Sequence, residues 1–137
     1  MTINQITDSI IGAAIEVHRR LGPGLLESAY ETCLAAELAY RGLQVERQRP
    51  LSLEYRGAYV DAAYRIDLFV ECRVVVEVKS VTKLEPVHTA QVLTYLRLSG
   101  APVGLLFNFN EEVVMEGCRR IVLNYRGPTP RSPRPPR

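Results

Sequence analysis

The stretch Val74-Val75-Val76-Glu77-Val78-Lys79 constrains the fold more than any other part of this 137-residue chain. Four of its six side chains are valine. β-Branched residues favour strands, and a strand this apolar is usually covered on both faces. Period-two geometry puts Val75, Glu77 and Lys79 on one face and Val74, Val76 and Val78 on the other. A carboxylate and an ammonium therefore share a strand that belongs inside a sheet. Charge placed there is costly unless it is paired or bound to a metal. Lysine is also scarce, with only Lys79 and Lys83 against fifteen arginines. A lysine at 79 points to a compact point charge rather than a planar clamp.

The segment before it supplies a partner. Ile66-Asp67-Leu68-Phe69-Val70 turns through Glu71-Cys72-Arg73 into the valine strand. With those three residues as the loop, residue 70 faces 74 and residue 67 falls opposite 77. Directly opposed side chains lie ~5 Å apart at Cβ. Two carboxylates at that spacing repel and share a proton unless a cation sits between them. Mg²⁺ takes one or two carboxylates, several waters and phosphate oxygens. Asp67, Glu77 and the Val78 carbonyl would supply such a half-built shell. Lys79, one pleat further on, would orient an attacking water or offset charge on a phosphate. The competing interpretation is a plain structural ion pair between an acid and Lys79. An acid-x-Lys triplet by itself does not separate the two.

The rest of the chain organises around this strand. Ile3, Ile6, Ile10, Ala14, Val17 and Leu21 recur at helical spacing, which predicts a helix over Ile3 to Leu21. Gly22-Pro23-Gly24 stops it. A second helix is predicted from about Leu25 to Arg41, with Gly42 as the αL residue past its end. Short alternating strands are predicted over 43–47 and 51–55, separated at Pro50, with Arg56-Gly57 as a turn. Tyr59 to Val70 is a longer strand. Helical spacing returns over Glu85 to Leu98, and strands follow over 103–109 and 118–125. The order α-α-β-β-β-β-α-β-β predicts a mixed sheet with helices packed on it, of α/β or α+β type. Residues 1–125 suit one domain. The last segment, 126–137, is rich in proline and arginine and holds five of the nine prolines. It is expected to be a disordered, partly polyproline II tail.

Composition narrows the function classes. Hydrophobic residues make up 47% and charged residues 23%, which excludes disorder throughout. No apolar run reaches the ~20 residues of a membrane span, and no secretory leader is visible. Cys33, Cys72 and Cys118 form no close pair, so a reducing cytoplasm is expected. Two histidines make a multi-imidazole zinc site improbable. The net charge is +2, but four arginines lie in the last twelve residues, which hold no acid. Residues 1–125 carry 13 basic and 15 acidic groups, so the body is not a generally cationic nucleic-acid binder.

Asp67, nine intervening residues, then Glu77-Val78-Lys79 resembles the D…(D/E)xK signature of the PD-(D/E)XK nuclease superfamily. The chain is most similar to one branch of it, the small GxxExxY proteins, whose naming motif appears as Gly24-Leu25-Leu26-Glu27-Ser28-Ala29-Tyr30. Arg65-Ile66-Asp67-Leu68, the segment His88 to Leu96, and Gly104-Leu105-Leu106-Phe107-Asn108-Phe109 extend the similarity over about residues 3–125. Asn110 departs from the pattern, where glycine is expected. The resemblance implies a restriction-endonuclease-like αβββαβ core, a mixed central sheet flanked by helices. It implies Asp67 and Glu77 as metal-binding acids, Lys79 as the catalytic lysine, and Glu27 as an outer metal ligand or water-binding group. It also implies Gln91 beside the lysine, with His88 and Tyr95 on the same helix face. Tyr30 and His18 are further expected substrate contacts. The implied cofactor is Mg²⁺ or Mn²⁺, and the implied substrate is nucleic acid, DNA in the simplest case. Superfamily members often pair subunits to cut two strands, so a homodimer fits. Two alternatives remain open at this point: a non-catalytic nucleic-acid- or protein-binding module on the same fold, and a small-molecule phosphohydrolase with a closed pocket.

Overall fold

The computed structural model describes residues 1–123. Helix α1 spans Ile3–Leu21 and α2 spans Glu27–Tyr40. Strands β1 (Val45–Tyr55), β2 (Ala58–Val70) and β3 (Val74–Lys79) follow, then α3 (Pro86–Ser99) and β4 (Val103–Asn108). A 3₁₀ turn, Val114–Gly117, leads into β5 (Cys118–Val122). The strands lie side by side in chain order. β1 with β2, β2 with β3, and β4 with β5 are antiparallel, while β3 and β4 are parallel. A parallel pair needs a long crossover, and α3 provides it. The result is a mixed five-stranded sheet flanked by helices, as in the restriction-endonuclease-like fold.

The valine strand is central, as its composition predicts. Val74, Val76 and Val78 pack under α1 and α2, against Ile10, Ala14, Val17, Leu34 and Leu38. Val75 faces the other way, with Leu106, against Val92, Tyr95 and Leu96 of α3. Gly104 lets α3 lie close on β4, because a Cβ there would stand 2.7 Å from Val92 Cγ1. Helix α1 begins on a capping box in which Thr2 and Gln5 exchange side-chain and backbone bonds. Gly42 and Gly100 adopt the positive φ expected just past helix ends.

Three expectations need correction. The segments 43–47 and 51–55 are one strand, not two, because Pro50 sits in the sheet's edge strand. An edge strand has one side with no neighbour, so a missing N–H there costs nothing. The 3₁₀ turn before β5 carries no periodic signal and was not anticipated. The last strand spans Cys118–Val122 and Leu123 is outside it, while the rest of its expected span, 124–125, lies outside the described residues. The proline-arginine tail over 126–137 lies outside the described residues. Among the described residues no helix is long and apolar enough to cross a membrane.

Candidate active site

The β2–β3 ladder pairs Val70 with Val74, Phe69 with Val75 and Leu68 with Val76. One further step sets Asp67 opposite Glu77, and there side chains replace the backbone ladder. The Asp67 N–H donates to Glu77 Oε1 at 3.1 Å. The Val78 N–H donates to Asp67 Oδ2 at 2.9 Å. Each acid thus grips the other's strand. Strand alternation turns the Val78 carbonyl to the same side as its N–H, toward Asp67. Glu77 is 2% exposed. Burial first, then the neighbouring Asp67 charge, pushes its carboxyl up to about 9. Near neutral pH, without a cation, the pair therefore retains a proton.

Lys79 ends β3 opposite Asn108 of β4, and its carbonyl accepts from the Phe109 N–H at 2.9 Å. Its side chain lines a cleft of about 460 Å³ with Tyr64, Val87, His88, Ala90, Gln91 and Thr94. Among the described residues, no ion pair within 4.0 Å includes Lys79. The plain acid–lysine pair is therefore not what the fold builds. The lysine is still near enough to Glu77 for its charge to favour the carboxylate.

Helix α3 follows this strand and forms the far wall of the cleft. Gln91 lines the cleft with Lys79, one helical turn before Tyr95. Tyr95 is nearly buried, tilted at 57° against Tyr64 with ring centres 5.8 Å apart. Burial, then the Glu77 and Asp67 charges, holds its phenol above the ordinary range. His88 spends Nδ1 on the helix cap, accepting from the Glu85 N–H at 2.9 Å, while its ring lines the cleft. Gln91 and His88 thus line the cleft with Lys79, whereas Tyr95 packs in the core beneath α3 against Tyr64.

Three residues stand apart from it. Glu27 lies exposed in the first turn of α2 and accepts from the Ser80 N–H at 3.3 Å. It stands beside the end of β3 without joining the Asp67–Glu77 pair. Tyr30 is fully buried. Its ring stacks on Phe109 at 4.7 Å, and its hydroxyl donates to the Gly22 carbonyl and accepts from the Leu25 N–H. The expectation of a substrate contact at Tyr30 is corrected: the residue fastens the Gly22-Pro23-Gly24 turn to the core. His18 is corrected likewise. It is buried near the end of α1, within 2.7 Å of the Glu111 carbonyl and tilted against Phe109. Both side chains point into packing because their helices turn those faces inward.

Two neighbours of the acids were missed. Glu31, one residue past the GxxExxY-like segment, is buried, and Arg47 reaches its Oε2 at 3.1 Å. Burial raises its carboxyl above the usual range, opposed by the Arg47 hydrogen bond and reinforced by the Asp67 charge. Gln48 lies in β1, and its Nε2 donates to Glu31 Oε1 at 2.8 Å and to Asp67 Oδ1 at 3.3 Å. A signal for Glu31 existed, since it falls three and seven residues before the buried Leu34 and Leu38.

Two opposed carboxylates and a nearby carbonyl are hard oxygen donors of the kind Mg²⁺ or Mn²⁺ takes. A buried acid that resists ionisation until about pH 9 fits a cation as well. Among the described residues, no three His, Cys, Asp or Glu side chains stand together as a ready metal cage. The donor set suits an ion that keeps waters and substrate oxygens, not one fully enclosed by protein.

A family model described as the PD-(D/E)XK nuclease superfamily matches residues 4–121. No curated protein and no solved structure matches the chain.

Proposed function

The chain belongs to the PD-(D/E)XK nuclease superfamily, and from that premise we propose that it hydrolyses phosphodiester bonds in DNA with Mg²⁺ or Mn²⁺ as its cofactor. Within the superfamily, Gly24 to Tyr30 supports the GxxExxY branch. One observation carries the proposal: the Asp67 and Glu77 carboxylates interlock across two strands, while Lys79, outside any ion pair among the described residues, lines an open cleft.

Asp67 and Glu77 supply the anionic oxygens that hold the cation, with the Val78 carbonyl beside them. A divalent ion held there would supply Lewis-acid chemistry, polarising the phosphate and lowering the pKa of a bound water. Lys79 donates a hydrogen bond to the attacking water and offsets the charge that develops on the phosphate. Gln91 orients the lysine or the water from α3. Glu27, next to the Ser80 N–H, serves as the outer water-binding acid. His88 closes the cleft wall. Cutting both strands of a duplex needs two such sites, which a homodimer supplies. The free thiols of Cys33, Cys72 and Cys118 suit a reducing cytoplasm.

The test is digestion of plasmid, linear, single-stranded and RNA substrates with Mg²⁺ or Mn²⁺, beside Lys79→Ala. Metal-dependent cleavage lost in Lys79→Ala, with a metal-induced rise in melting temperature kept by that variant, is the expected result. Equal cleavage by Lys79→Ala overturns the assignment. A native protein that neither cleaves nor responds to metal is an accessory module on this fold.

A further inference from the structure

Gln48 is the residue of β1 whose backbone breaks the local rule. Its φ is +52°, although it lies between the paired positions Arg47↔Leu68 and Arg49↔Ile66. A long, non-glycine side chain rarely adopts that conformation unless its surroundings impose it. By the same register count, Asp67 lies across from it on β2. The sheet changes faces there: Ile66 packs on the α3 side and Leu68, two residues later, on the α1–α2 side. The irregularity thus coincides with the acid pair.

The side-chain amide explains what the distortion achieves. Its two N–H bonds are divided between two acids, with Nε2 2.8 Å from Glu31 Oε1 and 3.3 Å from Asp67 Oδ1. Reversing the amide would aim its oxygen at two carboxylates, so the orientation is fixed by chemistry. Glu31 is itself anchored by Arg47, which also donates to Thr32 Oγ1 at 3.0 Å. Asp67 is held on its other oxygen by the Val78 N–H. The carboxylate is therefore clamped from both sides, once by the sheet and once by an amide tied to α2.

We propose that Gln48, anchored through Glu31 and Arg47 to α2, is a positioning residue that sets the angle of the Asp67 carboxylate for the divalent ion. This rests on the nuclease assignment above. Groups that orient a metal ligand without touching the metal typically change affinity or activity by about 10–100-fold when removed.

Two variants separate orientation from stability. Gln48→Gly removes the amide and the cost of positive φ together. Gln48→Met keeps the length and removes only the hydrogen bonds. Each is titrated with Mn²⁺ by calorimetry, melted in EDTA, and assayed for kcat and KM. Both variants are expected to bind Mn²⁺ about 10–100-fold more weakly. Both should lose kcat at saturating metal with KM for DNA little changed, and Gln48→Gly should melt in EDTA no lower than the native protein. Native metal affinity and kcat in either variant overturn the positioning role and leave the nuclease assignment standing. A native protein with neither Mn²⁺ binding nor cleavage takes down both, and the two failures differ in which protein is silent.

Discussion

Replacing Glu77 by glutamine tests the acid pair without any substrate. The carboxyl of Glu77 moves from an ordinary 4.5 to about 9 on folding, chiefly by burial and then by the charge on Asp67. Between those values the native state holds a proton that the unfolded chain has released. Stability therefore falls as pH rises: the neutral acid's contribution is complete below about pH 4.5 and is lost progressively toward pH 9. One proton corresponds to at most about 1.4 kcal/mol per pH unit. Between pH 5 and pH 8 the native protein should lose up to about 4 kcal/mol relative to Glu77→Gln, a large share of the 5–15 kcal/mol typical of a domain. Glutamine keeps an oxygen to accept from the Asp67 N–H and has no proton to lose in this range. Urea unfolding of both proteins in EDTA at unit steps of pH measures the difference, in which the contributions of other titrating groups largely cancel. Parallel stability profiles would refute the claim that Glu77 is buried neutral beside a charged Asp67.

Tyr30→Phe should destabilise the protein by about 1–3 kcal/mol, because its buried hydroxyl serves both the Gly22 carbonyl and the Leu25 N–H. Urea unfolding checks this, and a native melting curve with altered cleavage would restore Tyr30 as a substrate contact. Asn108→Ala should cost about 3 kcal/mol, since that buried amide accepts from the Val81 and Asn110 N–H groups and donates to the Val81 carbonyl. It ties down the chain just beyond Lys79, so limited proteolysis should also cut faster between Ser80 and Lys83.

Much of the scaffold was legible because burial leaves a period in the sequence. Helix α1 buries Ile6, Ile10, Ala13, Ala14 and Val17 on one stripe, and that stripe fixes its length. The acid pair was legible for a simpler reason: a three-residue loop sets the register, and counting back from it brings Asp67 to Glu77. Pro50 misleads because a proline reads as a break in a strand, and only the sheet order shows that this strand lies at an edge. Tyr30 and His18 misled because a motif gives residue type and spacing, while side-chain direction depends on how its helix is rolled. Tyr30 belongs to the hydrogen bonds that hold the turn between α1 and α2, and His18 ties the end of α1 to the Glu111 carbonyl beyond β4.

Glu31 and Gln48 were missed for different physical reasons. An acid on the buried stripe of α2 conflicts with its burial, and that conflict is visible in the sequence once Leu34 and Leu38 define the stripe. Gln48 carries no such mark. Nothing about glutamine in an alternating segment announces a positive φ, and the property that matters is a backbone angle imposed by partners 17 and 19 residues away. Local propensity, strand alternation and charge burial agree through most of this chain, and they fail together where β1, β2 and α2 meet around Asp67. Ala62 in β2 also has a positive φ, near the register shift between Leu51 and Leu53, but only around Asp67 does such an angle coincide with buried charge. The distortion at Gln48 and the burial of Glu77 are thus two costs of one arrangement: two acids are forced together, and the orientation of one is held by the sheet and by an amide from β1.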